Sequence, residues 1–232
     1  NFEVGIFTNI TRDHIDFHKT FDNYYNAKFK LFERSKTCVI NVDDNYGYRI
    51  INDLKGLDKN VTTYSIKEES DLRAYDIKLE EQDIIFNVNN VEYKFVLPGE
   101  YNIYNALGCI GAAKALGIDD ESIKKGLLDV VVPGRCERIG QKYNLPYEIV
   151  IDFAHTPDGL KNILETLRGF TKNRLIAVYG SGGDRDKVRR AELGRIGTEI
   201  ADLVIITSDN PRTEDPLVIL KEIVFGTEKT NY

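Results

Sequence analysis

His14, Asp16 and His18 stand within five residues of one another in the stretch TRDHIDFHKTFDNYYNAKFKLF, which holds two of the chain's three histidines. Imidazole nitrogens and carboxylate oxygens are the donors that proteins offer to divalent metals, and a histidine also exchanges protons near neutral pH. The two histidines are four apart, but on a strand-to-loop segment, so they do not match the helical HExxH spacing of a zinc site. Spacing leaves each open between a metal or phosphate contact and an ordinary loop histidine. Lys28 follows, in a helix expected from about 21 to 34. Asn23, Asn26, Lys30 and Arg34 mark its wet face. Phe21, Tyr24, Tyr25, Leu31 and Phe32 lie on or near the other face, and Lys28 falls among them. An apolar, partly dry place favours the neutral amine. Such an amine can act as a nucleophile, or take up carbon dioxide to become a carbamate able to ligate Mg²⁺. The plainer reading is a lysine whose stem runs along apolar surface to solvent.

Five further stretches carry usable chemistry. YNIYNALGCIGAA sets Asn102 and Asn105 three apart at a helix start, where asparagines also serve as caps. VPGRCERI carries Arg135, a permanent cation suited to phosphate, and Arg138. IVIDFAHTPDGL ends a strand in Asp152 and His155 and enters a helix at Pro157, with Thr156 as its cap. VYGSGGDRDK is glycine-rich after a strand, so its backbone can approach a phosphate or carboxylate. It is not a GxGxxG loop, because Arg185 stands where the third glycine would be. In TSDNPRTEDP a turn holding Asp209, Asn210, Pro211 and Arg212 follows a buried strand. Asn-Pro is ordinary turn chemistry, whereas a guanidinium fork there can pair with a carboxylate.

The elements that must position these groups read as α/β. A strand is expected over residues 3–10, a helix over 20–35 and a strand at TCVINV. Short alternating runs fill 61–97, with Asn89-Asn90 as a hairpin turn. A small-residue helix ends at Gly117, and a second covers roughly 119–129. Beyond about residue 136 strand and helix patterns alternate three times, which predicts a doubly wound parallel sheet with ligands at the strands' carboxyl ends.

Composition narrows the classes. The net charge of −6 argues against a general nucleic-acid binder. No apolar run approaches the ~18 residues that span a bilayer. The three cysteines form no CxxC pair, which points to a reduced, cytoplasmic setting. The chain has no methionine, opens on a strand-like run and stops in a polar stretch; it reads as a segment of a longer protein.

The run TNITRDHIDFH…YYNAKFKLF resembles the second-domain signature of the Mur ligases, and most closely the MurE type. The resemblance extends in order through NIYNALG, VPGRCERI, DFAHTPD, GGDRDK and DNPR, and so through nearly the whole chain. It implies a partial central ATP-binding α/β domain over 1–136, then an incomplete Rossmann-like, doubly wound C-terminal domain over 137–232. It implies ATP and Mg²⁺ as cofactors. By the same resemblance, His14 binds the metal and Lys28 does so through its carbamate. Asn102 and Asn105 lie by adenine, Arg135 meets the ATP phosphates, and Asp152 and His155 lie at the nucleotide. Arg185 reaches the incoming amino acid, and Asp209, Asn210 and Arg212 complete its site. The DNPR run marks family members that add meso-diaminopimelate to UDP-N-acetylmuramoyl-L-alanyl-D-glutamate, because its arginine pairs with the distal carboxylate; lysine-adding relatives usually lack it. Where the family often continues GKRP, this chain has VRRA, so Arg189 and Arg190 keep the basic character without the same pattern. The implied phosphate loop, UDP-binding domain and a closing segment of the amino-acid pocket lie outside these residues, so the chain alone is expected to be inactive. A cytoplasmic monomer without nucleic-acid or membrane partners is the matching expectation. A lysine- or other diamino-acid-adding ligase, a dinucleotide-binding dehydrogenase module and a degenerate binding protein are the alternatives.

Overall fold

A computed structural model describes residues 1–12, 15–227 and 231–232, without the side chain of Asp16. His14, the expected metal ligand, lies outside the described residues. The chain divides into two units. One comprises residues 1–12 and 19–131, and the other runs from 132 onward together with 15–18.

In the first unit the elements run β1 (Phe2–Phe7), then, past the one-turn helix α1 (Ile15–His18), α2 (Phe21–Glu33) and β2 (Ser35–Asn41). They continue with α3 (Asn45–Asp53), β3 (Asn60–Ser65) and β4 (Leu72–Arg73). β1 to β4 form a parallel sheet in that order, with Phe7 opposite Ile40 and Ile40 opposite Thr63. The inner strand β2 buries Cys38, Val39 and Ile40 in succession, as a strand covered on both faces must. β1 ends three residues short of the strand expected over residues 3–10. It is the edge of the described sheet, so Phe7 is buried while Phe2 and Ile6 are exposed.

β5 (Tyr75–Leu79), β6 (Ile84–Val88) and β7 (Val91–Phe95) make an antiparallel sheet. Asn89 and Asn90 turn the β6–β7 hairpin with φ of 50° and 64°, the left-handed pair that a two-residue turn needs. Two helices follow, α4 (Glu100–Ala115) and α5 (Asp120–Leu128). The small residues of α4 let it lie close on the sheet. A Cβ on Gly111 would stand 2.6 Å from Val39 Cγ1. Ile103, Leu107 and Ile110 of α4 join Val39, Tyr64, Phe86 and Tyr93 in one core.

The second unit continues with β8 (Glu137–Ile139), a 3₁₀ turn (Gln141–Tyr143) and β9 (Ile149–Ile151). α6 (Pro157–Phe170), β10 (Ile176–Tyr179), α7 (Val188–Ile200), β11 (Leu203–Ile206) and α8 (Pro216–Val224) complete it. β10 and β11 pair in parallel, Ile176 opposite Leu203. β9 does not join them. It pairs antiparallel with β8, Arg138 opposite Val150, because the chain between the two returns directly as a hairpin. Leu160 and Leu164 of α6 and Leu193 and Ile196 of α7 pack with Ala177 and Val204 of the strands.

Candidate functional site

α2 begins where Thr20 caps it, its Oγ1 accepting from the Asn23 amide at 3.1 Å. Tyr24, Tyr25 and Phe32 are buried, but Lys28 is exposed. The expectation of a dry lysine is therefore corrected. Lys28 sits at the border of the buried stripe, and its flexible stem carries Nζ out over the Tyr24 ring, 5.0 Å from the centroid. That amine is open to carbon dioxide. Among the described residues no group of three or more His, Cys, Asp or Glu side chains is placed to hold a metal. A Lys28 carbamate would offer the hard oxygen donors that suit Mg²⁺.

At the start of α4 the N-cap is Gly99, with φ of 99° and no side-chain bond, so neither asparagine is the cap. Buried Asn102 donates from Nδ2 to the Pro98 carbonyl at 2.7 Å and accepts from Asn105 Nδ2 at 2.9 Å. Both ends of its amide are used inside the protein. Asn105 is exposed, so its own carbonyl oxygen is presented outward from a fixed amide. The neighbouring Tyr104 hydroxyl donates to Asp43, whose carboxylate also accepts the amides of Ile66, Lys67 and Glu68. Burial works against that charge, but these four donors outweigh it and hold Asp43 below the usual carboxylate range.

In the second unit Asp152 has both oxygens engaged. One accepts the Cys136 amide and the other the Ala154 amide, each at 2.8 Å. This carboxylate staples the segment holding Arg135 to the loop holding His155. The exposed Arg135 guanidinium lies 5.0 Å from the centroid of the Phe153 ring. His155 meets the same ring edge-on at 5.2 Å, with Nδ1 at 3.1 Å from the Phe153 carbonyl oxygen. Phe153 was not singled out from the sequence; a phenylalanine between two polar strand-end residues gave no hint that it is their platform. Thr156 caps α6, accepting from Gly159 at 3.2 Å.

The GGDRDK and DNPRTED turns come together. The Gly183 amide donates to the Asn210 carbonyl at 2.8 Å, and Arg212 Nη1 donates to the Gly183 carbonyl at 2.7 Å. Asp184 accepts from the Thr213 hydroxyl at 2.7 Å. A Cβ on Gly183 would lie 1.9 Å from the Pro211 carbonyl oxygen, so only glycine permits this approach. Asp184 and Arg212 adopt left-handed backbones, with φ of 54° and 50°. Arg185, Asp209, Asn210 and Arg212 are all exposed. Among the described residues, the remaining guanidinium donors of Arg212 and those of Arg185 meet no protein acceptor.

Behind these turns lies a network with no counterpart in the sequence expectations. Arg190, fully buried, donates to both oxygens of Glu214 at 3.0 and 2.7 Å, and also to Glu222. Glu214 additionally accepts the Asp184 amide at 2.6 Å and pairs with Lys187 at 3.2 Å. The Arg190 bonds first, and the Asp184 amide second, hold the Glu214 carboxyl down to about 2. The two glutamates in turn raise Arg190 above its ordinary value. The signal available was the RR pair itself, but a basic pair on a helix looks like solvated surface.

Two family models match. The Mur ligase middle domain covers residues 1–113, and the Mur ligase glutamate ligase domain covers residues 134–232. The chain belongs to the Mur ligase family. It is 58% identical to a UDP-N-acetylmuramoyl-L-alanyl-D-glutamate–2,6-diaminopimelate ligase of Clostridium perfringens, covering 100% of this chain and 49% of that protein. The Clostridium tetani ligase of the same name is 53% identical over 100% of this chain and 48% of its own length. A solved diaminopimelate ligase structure superposes with a TM-score of 0.63 at 31% identity, covering 99% of this chain and 48% of that one. Folylpolyglutamate synthase of Mycobacterium tuberculosis, at 20% identity and TM-score 0.79, shares the fold over 97% of this chain and 52% of its own. This Mur ligase chain thus spans about half the length of the relatives it matches. No helix among its described residues is long and apolar enough to cross a membrane.

Proposed function

We propose that these residues serve a cytoplasmic, ATP-dependent amide ligase that adds meso-diaminopimelate to UDP-N-acetylmuramoyl-L-alanyl-D-glutamate, a step in building the peptidoglycan precursor. Residues 1–136 supply part of its nucleotide-binding domain and 137–232 its amino-acid-binding domain. The observation that carries this reading is the Arg212 turn, joined to the Arg185 turn with guanidinium donors left over for a substrate.

The γ-carboxylate of the D-glutamyl residue takes the terminal phosphoryl group of ATP, giving an acyl phosphate and releasing ADP. The free amine of diaminopimelate attacks that carbonyl, the C–N bond forms, and inorganic phosphate leaves. Arg185 and Arg212 pair with the amino acid's carboxylates as planar forks. The Asp209 carboxylate suits its second ammonium group, and Asn210 holds the turn to Gly183. Arg135 on its Phe153 platform, with His155, meets the nucleotide phosphates. Asn105 offers its outward carbonyl to the adenine amino group. Asn102 and Asp152 act one step back, since their polar atoms are already used to set Asn105 and the Arg135 and His155 segments. His14 and the Lys28 carbamate would hold Mg²⁺, which when bound supplies positive charge against the phosphates.

Arg212→Lys keeps the charge but loses the fork. In the full gene product it is expected to lower kcat/KM for diaminopimelate about 100-fold, the cost of charged hydrogen bonds lost, and to leave the KM for ATP within about twofold. Product followed by mass spectrometry checks this. Unchanged kcat/KM for diaminopimelate would remove Arg212 from the amino-acid site.

A further inference from the structure

We infer that Arg190 is a positioning residue that sets the spacing of the two arginine-bearing turns, and through it the fit of the amino-acid substrate. The inference rests on the amino-acid-binding reading of Arg185 and Arg212.

The geometry is that of a clamp. Arg190 belongs to the first turn of α7, three residues after Lys187 and five after Arg185. Its guanidinium reaches Glu214, two residues beyond Arg212, and Glu222 on α8, and lies 3.4 Å from the Gly182 carbonyl oxygen. Glu214 closes the loop by accepting the Asp184 amide, next to Arg185. One side chain therefore fixes the backbone on both sides of the site. A Cβ on Gly182 would stand 2.7 Å from Arg212 Nη1, so the guanidinium of Arg212 is packed directly on this backbone.

Stability alone is a poor reason to bury such a group. Desolvating a guanidinium and a carboxylate offsets most of their attraction, and apolar residues of the same volume often serve as well. Arg190 Nε also has no partner among the described residues. What a planar fork does supply is a fixed distance and angle between the groups it joins. The two turns here carry the side chains that must match a substrate with two carboxylates at a set separation. A lysine in place of Arg190 would keep the charge but bond the turns at a single point.

The test uses the full gene product with Arg190→Lys and the milder Glu222→Gln, which leaves the Glu214 pair in place. Kinetics are run with each substrate varied, and amide hydrogen exchange is followed without substrate. Arg190→Lys is expected to raise the KM for the amino acid about tenfold, with the KM for ATP and for the UDP-linked acceptor changed less than about twofold. Exchange at the Gly183, Asp184 and Thr213 amides speeds up, and Glu222→Gln moves both readouts the same way by less. A lower Tm with an unchanged amino-acid KM, or unchanged exchange at those amides, overturns the inference. If Arg190→Lys does not fold, Glu222→Gln decides on the same two readouts. If the unaltered enzyme uses lysine, the diaminopimelate reading fails and the clamp is judged on the KM for lysine. If it uses no amino acid, the exchange result alone decides.

Discussion

Arg190 and Arg212 are one residue type put to opposite uses. Arg190 is buried and spends its forked nitrogens on Glu214 and Glu222, whereas Arg212 is exposed and gives one nitrogen to Gly183. Arg185 and Arg212 drew notice through the GGDRDK and DNPR resemblance, since a turn after a strand is by itself ordinary turn chemistry. Arg190 did not, since only tertiary packing decides which arginine of an RR pair turns inward. Lys28 shows the converse limit: its place in the helix row was legible, but the path of its four-carbon stem was not. The network also predicts a pH dependence. Glu214 titrates at about 2 in the folded chain against an ordinary value of 4.5. A depressed carboxylate stabilises the fold above the ordinary value, and the contribution is lost as pH falls towards the folded value. The Tm gap between the unaltered protein and Glu214→Gln should therefore be constant above about pH 5 and close between about pH 4.5 and 2. A gap that stays fixed down to pH 2 would show that the carboxylate charge plays no part in the network.

At the scale of elements, local signals carried far. Thr156 caps the helix it precedes, and Asn89-Asn90 turns a hairpin, both as expected. What local signals could not give was pairing. The run IVI looks like any buried strand, and only the return of the chain past Gly140 makes it the antiparallel partner of β8 rather than a neighbour of β10. The meeting of the two arginine-bearing turns was likewise hidden, because their residues lie about thirty apart in sequence. The meeting depends on Gly183. Gly183→Ala puts a methyl group where the Pro211 carbonyl oxygen lies, so the turns must part. It is expected to lower stability by about 1–3 kcal/mol and to raise the amino-acid KM in the full gene product. Chemical denaturation and initial rates with diaminopimelate varied check both. Unchanged stability would mean that the turns yield freely, and a device that yields freely cannot hold spacing.

At the scale of the whole molecule, each of the two units has its own core, one centred on Val39, Phe86 and Leu107 and the other on Leu160, Leu193 and Val204. The order of motifs made the Mur ligase family legible before any geometry, because each short run pairs a structural constraint with a chemical group. The amino acid that is added is a finer matter, resting on one guanidinium and the turn that carries it. The most direct measurement is phosphate release from ATP by the full gene product, given UDP-N-acetylmuramoyl-L-alanyl-D-glutamate with either meso-diaminopimelate or L-lysine. Release with diaminopimelate and not with lysine is the predicted result. Release with lysine at an equal rate would contradict the role given to Arg212, and no release with either would contradict the diaminopimelate assignment.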